Sequence, residues 1–107
     1  MWLCRGDDVL ASAEVADTRR SRRRGLLGRD GLDGALVLRP ARAVHTLGMR
    51  FDLDVAFVGA DGTVLDAVRM RRNRLGLPRW QARSVIEAEA GAFDRWGLRV
   101  GDVVELR

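Results

Sequence analysis

An Asp-Gly pair between two runs of strand-forming residues leaves this chain few choices of fold. Asp54-Val55-Ala56-Phe57-Val58 leads through Gly59-Ala60-Asp61-Gly62 into Thr63-Val64-Leu65-Asp66-Ala67-Val68. Asp and Gly both tolerate positive φ, so the pair suits a two-residue turn whose twist matches the flanking strands. The pattern predicts a β-hairpin, and the remaining elements have to pack around it.

Those elements are short. Residues 2–4 and 9–15 read as strands joined at Gly6-Asp7-Asp8, where Gly6 and Asp7 suit a tight turn. Asp17 or Thr18 can cap a helix through the arginines that follow, and Gly25 or Gly28 can end it. Residues 35–38 form an apolar strand stopped by Pro40. Residues 43–46, 84–87 and 103–106 complete the strand set, and residues 70–82 read as a loop. Residues 90–96 form a second helix, with Phe93 and Trp96 on one face and Gly97 as its C-terminal cap. The total is about seven to nine short, mostly antiparallel strands with two short helices. That is a mainly β fold (α+β by count), a compact barrel or sandwich. Helices do not alternate with strands as a doubly wound sheet requires. No repeat or linker divides the chain, so residues 1–107 are expected to form a single domain.

Composition closes off several function classes. Hydrophobic residues make up 47% of the chain, enough for one core. Apolar runs such as Val55-Ala56-Phe57-Val58 fall far short of the ~20 residues of a membrane helix. Residues 1–8 lack the basic-then-apolar layout of a signal peptide, so a cytoplasmic protein with no membrane partner is expected. The single cysteine, Cys4, has no partner for an internal disulfide and reads as a buried apolar residue of the first strand. With one histidine, His45, a zinc site of Cys and His alone is excluded. No metal or cofactor is expected.

All 19 basic residues are arginine, against 15 acids, for a net charge of +4. Two stretches carry arginine and no acid. One is Arg19-Arg20-Ser21-Arg22-Arg23-Arg24, extended by Arg29. The other runs from Arg69 through Arg71, Arg72, Arg74 and Arg79 to Arg83. Such clusters can meet phosphate or another anion, although a solvated helix face and loop would look the same.

Three further stretches, in order, resemble the family catalogued as domain of unknown function 192. They are residues 24–29; His45-Thr46-Leu47-Gly48-Met49-Arg50-Phe51-Asp52-Leu53-Asp54 running on to Asp61-Gly62; and Ala82-Arg83-Ser84-Val85-Ile86-Glu87 through Gly91 to Gly101-Asp102. The resemblance covers roughly residues 10–106. It implies a compact β-rich barrel or sandwich with short helices and no established activity. It also implies one departure. Most members carry Trp-Met-Lys-Asn-Thr where this chain has His45-Thr46-Leu47-Gly48-Met49, and proline at the position of Asp52. Any ligand role of that Lys and Asn therefore does not transfer. Asp54, Arg83, Glu87, Gly91, Gly101 and Asp102 match the family pattern, the last three as turn and cap residues.

Candidate chemistry gathers around His45, Arg50, Asp54, Arg83 and Glu87. The leading expectation is a non-enzymatic binding or accessory domain for a small anionic ligand or a protein partner, with the 69–83 loop as a mobile rim. A second reading is a small hydrolase-like enzyme, with His45 as general base oriented by Asp54 or Glu87. It requires these groups to converge in a pocket. The competing structural reading has Asp54 paired with Arg50 or Arg83, and Glu87 with a loop arginine. A third reading is a weak nucleic-acid binder using both arginine stretches and Trp80, which requires the stretches to share a face. Ser12, Ser21 and Ser84 lie in no nucleophile elbow, and the chain has no Walker loop or dinucleotide fingerprint.

Overall fold

A computed structural model describes residues 1–107. The elements in chain order are β1 (Trp2–Arg5), β2 (Asp8–Ala16), α1 (Arg19–Arg24), β3 (Ala35–Leu38), β4 (Leu53–Val58), β5 (Val64–Met70), β6 (Ser84–Glu89), α2 (Ala92–Trp96) and β7 (Glu105–Leu106). The seven strands form one sheet in the order β5-β4-β6-β3-β2-β1-β7. All pairings are antiparallel except β2 with β3. That parallel pair needs a crossover, and α1 lies within it. The arginine-rich helix thus sits in the one β-α-β unit of an otherwise antiparallel fold.

The sheet is mainly β as expected, but it does not close into a barrel. Its edges are stitched at one isolated bridge, Thr63 to Val103. Beside the bridge, Val64 N–H donates to Asp102 O at 2.8 Å and Val104 N–H to Gly62 O at 2.9 Å. With β7 only two residues long, no ladder continues from there.

The hairpin β4–β5 forms, with a different turn from the expected two-residue one. Gly62 N–H donates to Gly59 O at 3.1 Å, and Gly59 N–H to Thr63 O at 2.9 Å. Only Gly62 takes positive φ, at 86°. Asp61 instead turns its Oδ1 to accept from Thr63 N–H at 3.0 Å. The extra residue is absorbed by a register shift between Phe57 and Val58.

Both faces of the sheet are covered, which is why β3 and β4 are buried at every residue and read as continuous apolar runs. Leu36, Leu38, Leu53, Val55, Phe57, Met70 and Val85 face one core, completed by Leu26, Val44, Met49 and Ala82 from the irregular segments. Val37, Ala56, Ile86 and Ala88 face the other, completed by Leu3, Phe93, Leu98 and Val104. Cys4 is buried. Residues 43–46 form no strand. They contribute a single bridge, His45 to Leu75, because their neighbour is a loop with no ladder to offer.

Candidate functional site

The site begins at the end of α1. Thr18 and Ser21 form a reciprocal capping box that starts this six-residue helix. No residue of the helix is buried. Its hold on the fold comes just after it. Gly25, at φ 48° and ψ −124°, turns the chain so that Leu26 enters the core. The arginines are left over the surface. Arg22 donates to the carbonyls of Asp17 at 3.0 Å and Arg39 at 3.4 Å. No arginine of α1 pairs with a carboxylate.

Beneath this turn lies a pocket of about 70 Å³, lined by Arg22, Arg23, Arg24, Gly25, Leu26, Leu27, Leu38, Ala43, Val44, His45, Met49 and Glu87. Glu87 projects from the middle of β6, between Leu36 on β3 and Val55 on β4. It is 4% exposed. A Cβ placed on Gly25 would stand 3.6 Å from its Oε1. Its carboxyl makes no ion pair and no side-chain hydrogen bond. Every fully enclosed side-chain polar atom in the molecule has a partner, so the unpartnered oxygens of Glu87 open onto the pocket. Burial raises its pKa to about 7. The expected loop-arginine partner for Glu87 is absent.

The five residues singled out by sequence do not converge. His45 and Glu87 line the same pocket, though no hydrogen bond joins them. Asp54 projects from the opposite face of the sheet. Its Oδ2 accepts from Gly91 N–H at 2.9 Å and Phe93 N–H at 3.1 Å, capping α2, and its Oδ1 accepts from Arg69 Nε at 3.0 Å. Its partner is thus Arg69, neither Arg50 nor Arg83. Arg50 pairs on the surface with Asp30 at 3.0 Å. Arg83 lines a separate cleft with Leu3, Val37, Val58 and Val104. The missing signal was face parity. Asp54 stands opposite Ala88 on β6, one residue from Glu87, and neighbouring residues of a strand face opposite ways. The arginines of α1 and the turn at Gly25 were legible as a cluster and a cap, but not as the wall of the pocket holding His45.

The 69–83 loop, expected as a mobile rim, is tied down. Thr46 is fully buried. Its Oγ1 donates to Arg71 O at 2.5 Å and accepts from Arg74 N–H at 2.9 Å. Gly76 N–H donates to Val44 O at 3.0 Å and Arg79 N–H to Arg42 O at 2.8 Å. The Arg79 guanidinium lies 4.3 Å over the Phe57 ring and bonds Asp66 at 2.8 Å. Segment 42–49 therefore touches α1 and the 71–79 part of the second stretch, while Arg69 lies across the sheet with Asp54 and Arg83 lines the separate cleft. Trp80 is 75% exposed on that loop.

Comparison with known proteins agrees with this picture of the fold. The DUF192 family profile, described as "Uncharacterized ACR, COG1430", matches residues 3–106. A UPF0127 protein of Thermococcus sibiricus is 30% identical over 98 residues, covering 86% of this chain and 64% of that protein. One from Thermococcus gammatolerans is 31% identical over 97 residues, covering 85% and 63%. The chain thus spans less than two thirds of the length of these relatives. A crystal structure of a protein of unknown function from Novosphingobium aromaticivorans superposes with a TM-score of 0.76 at 25% identity, covering 88% of this chain and 74% of that one. That of a proposed transcription regulator from Sinorhizobium meliloti superposes at 0.77 and 24% identity, covering 87% and 79%. This last likeness is one of fold. No helix of the present chain is long and apolar enough to cross a membrane.

Proposed function

Since the chain belongs to the DUF192 family of uncharacterised proteins, we propose its function from its own geometry: a small binding domain that recognises an anionic ligand or an anionic partner surface. The observation that carries this reading is the meeting of α1 with residues 71–79 of the second stretch on segment 42–49, with α1 contributing guanidinium groups that have no carboxylate partners. Such a face concentrates positive potential beside a pocket. Binding is favoured over hydrolysis because Asp54 is committed to α2 on the far side of the sheet and nothing orients His45. Titrating ¹⁵N-labelled protein with inorganic phosphate tests the reading. Saturable shifts at residues 22–27 and His45, weakening with added salt, are expected. Shifts spread evenly over the surface would defeat it.

A second reading, nucleic-acid binding, is favoured by the contact of α1 and residues 71–79 with one segment and by exposed Trp80. A short mixed oligonucleotide discriminates. It should shift both arginine stretches and Trp80 together, with affinity falling steeply with salt. We also place the protein in the cytoplasm, a proposal that fractionation of cells expressing the full-length gene checks.

A further inference from the structure

We propose that the pocket beneath Gly25 is a site for a short-chain carboxylic acid, whose carboxylate pairs with the carboxyl group of Glu87. This rests on the anion-binding reading and adds the class of ligand.

Glu87 is the only acid lining the pocket, and it is buried without a partner at its inner wall. The groups facing it there are apolar side chains from three segments: Leu26 and Leu27, Leu38, and Val44 with Met49. Its strand neighbours Leu36 and Val55 are apolar too. The other charged or titratable groups at the pocket are Arg22, Arg23 and Arg24 from α1 and His45 from segment 42–49.

A carboxyl so placed is easily kept protonated, and a protonated carboxyl is a donor in search of an acceptor. A ligand carboxylate supplies it. One proton then lies between two carboxyl groups in a charge-assisted bond, and no covalent bond forms or breaks. The single negative charge left on the pair lies in a pocket rimmed by Arg22, Arg23 and Arg24, whose surface charges favour an anion. A cationic ligand would instead meet their repulsion. Phosphate needs several donors around a tetrahedron, whereas the inner wall offers only the Glu87 hydroxyl among apolar side chains. The space is about 70 Å³, the room of roughly two waters. It takes the carboxylate end of a short acid such as acetate or propionate, with the alkyl end left towards the mouth of the pocket.

The probes are propionate, inorganic phosphate and methylammonium, added to protein carrying ¹³C-labelled glutamate and ¹⁵N-labelled backbone. Propionate should saturate, moving the Glu87 carboxyl carbon with Gly25 and Leu26. Its affinity should fall about tenfold from pH 6 to pH 8 as one proton leaves Glu87. Glu87→Gln still offers a donor but does not titrate, so it should bind propionate with that pH dependence gone. Glu87→Leu should not bind it. If propionate leaves Gly25 and Glu87 unmoved while phosphate shifts the α1 arginines, the carboxylic-acid site is overturned and the anion-binding face stands. If neither anion shifts the face, both fail. Methylammonium binding at Glu87 with affinity rising with pH would overturn the site in the opposite sense.

Discussion

The backbone of Gly25 roofs the carboxyl of Glu87: a side chain added at the glycine would begin 3.6 Å from Glu87 Oε1. The turn that ends the arginine helix is therefore also the wall of the pocket. At φ 48° and ψ −124° it holds a conformation that L-residues rarely adopt. Gly25→Ala should destabilise the protein by about 1–3 kcal/mol through backbone strain, read by urea unfolding. It should also weaken propionate binding while leaving the α2 end of the molecule unchanged in an NMR spectrum.

Glu87 makes stability depend on pH in a direction opposite to most carboxylates. Its pKa rises from an ordinary 4.5 to about 7 on folding, because burial penalises the charge. The folded state holds the proton more tightly than the unfolded chain. Its stabilising effect is therefore full below about pH 4.5 and is lost as pH rises through 7. The difference is worth about 3 kcal/mol. Glu87→Gln should match the native protein near pH 4 and exceed its stability by up to ~3 kcal/mol at pH 8. Unfolding midpoints at several pH values check this, and parallel curves for the two proteins would refute it.

Asp54 is the counterpart of Glu87 on the other face, with every oxygen employed. Asp54→Ala strips acceptors from the amides of Gly91 and Phe93. It should cost about 3 kcal/mol and speed hydrogen exchange throughout α2. Asp54→Asn keeps an acceptor oxygen and should lose less than half as much. Neither change should alter propionate affinity. A selective loss of binding at unchanged stability would instead place Asp54 in the ligand site.

Thr46 holds the basic loop against segment 42–49. Thr46→Val conserves shape but leaves Arg74 N–H and Arg71 O without their side-chain partner. A loss of about 2 kcal/mol is expected. Exchange of the loop amides at residues 71–76 should quicken before global unfolding. Uniform exchange behaviour in the variant would mean that the loop is held elsewhere.

Local rules reached much of the fold directly. The hairpin, the caps at Thr18 and Gly97, and the apolar runs of β3, β4 and β6 follow from residue type and short spacing, which a strand or a helix end reads within a few positions. The turn type did not follow, because Asp61 satisfied itself on Thr63 N–H instead of adopting positive φ. Nor did the parallel pairing of β2 with β3, which depends on where a long crossover lands.

The site shows the same division more sharply. Glu87 and His45 stood out as unusual residues, and the arginines of α1 as an unusual run, from the chain alone. Composition and local pattern also determined a small β-rich core, and three ordered motifs carried the resemblance to the family. Only the tertiary structure put Asp54 and Glu87 on opposite faces, set α1 beside His45, and left one carboxyl buried without a partner. Sequence carries residue identity and near-neighbour geometry. Burial and partnership are sums over segments distant in the chain, and exist only once the sheet has brought those segments together.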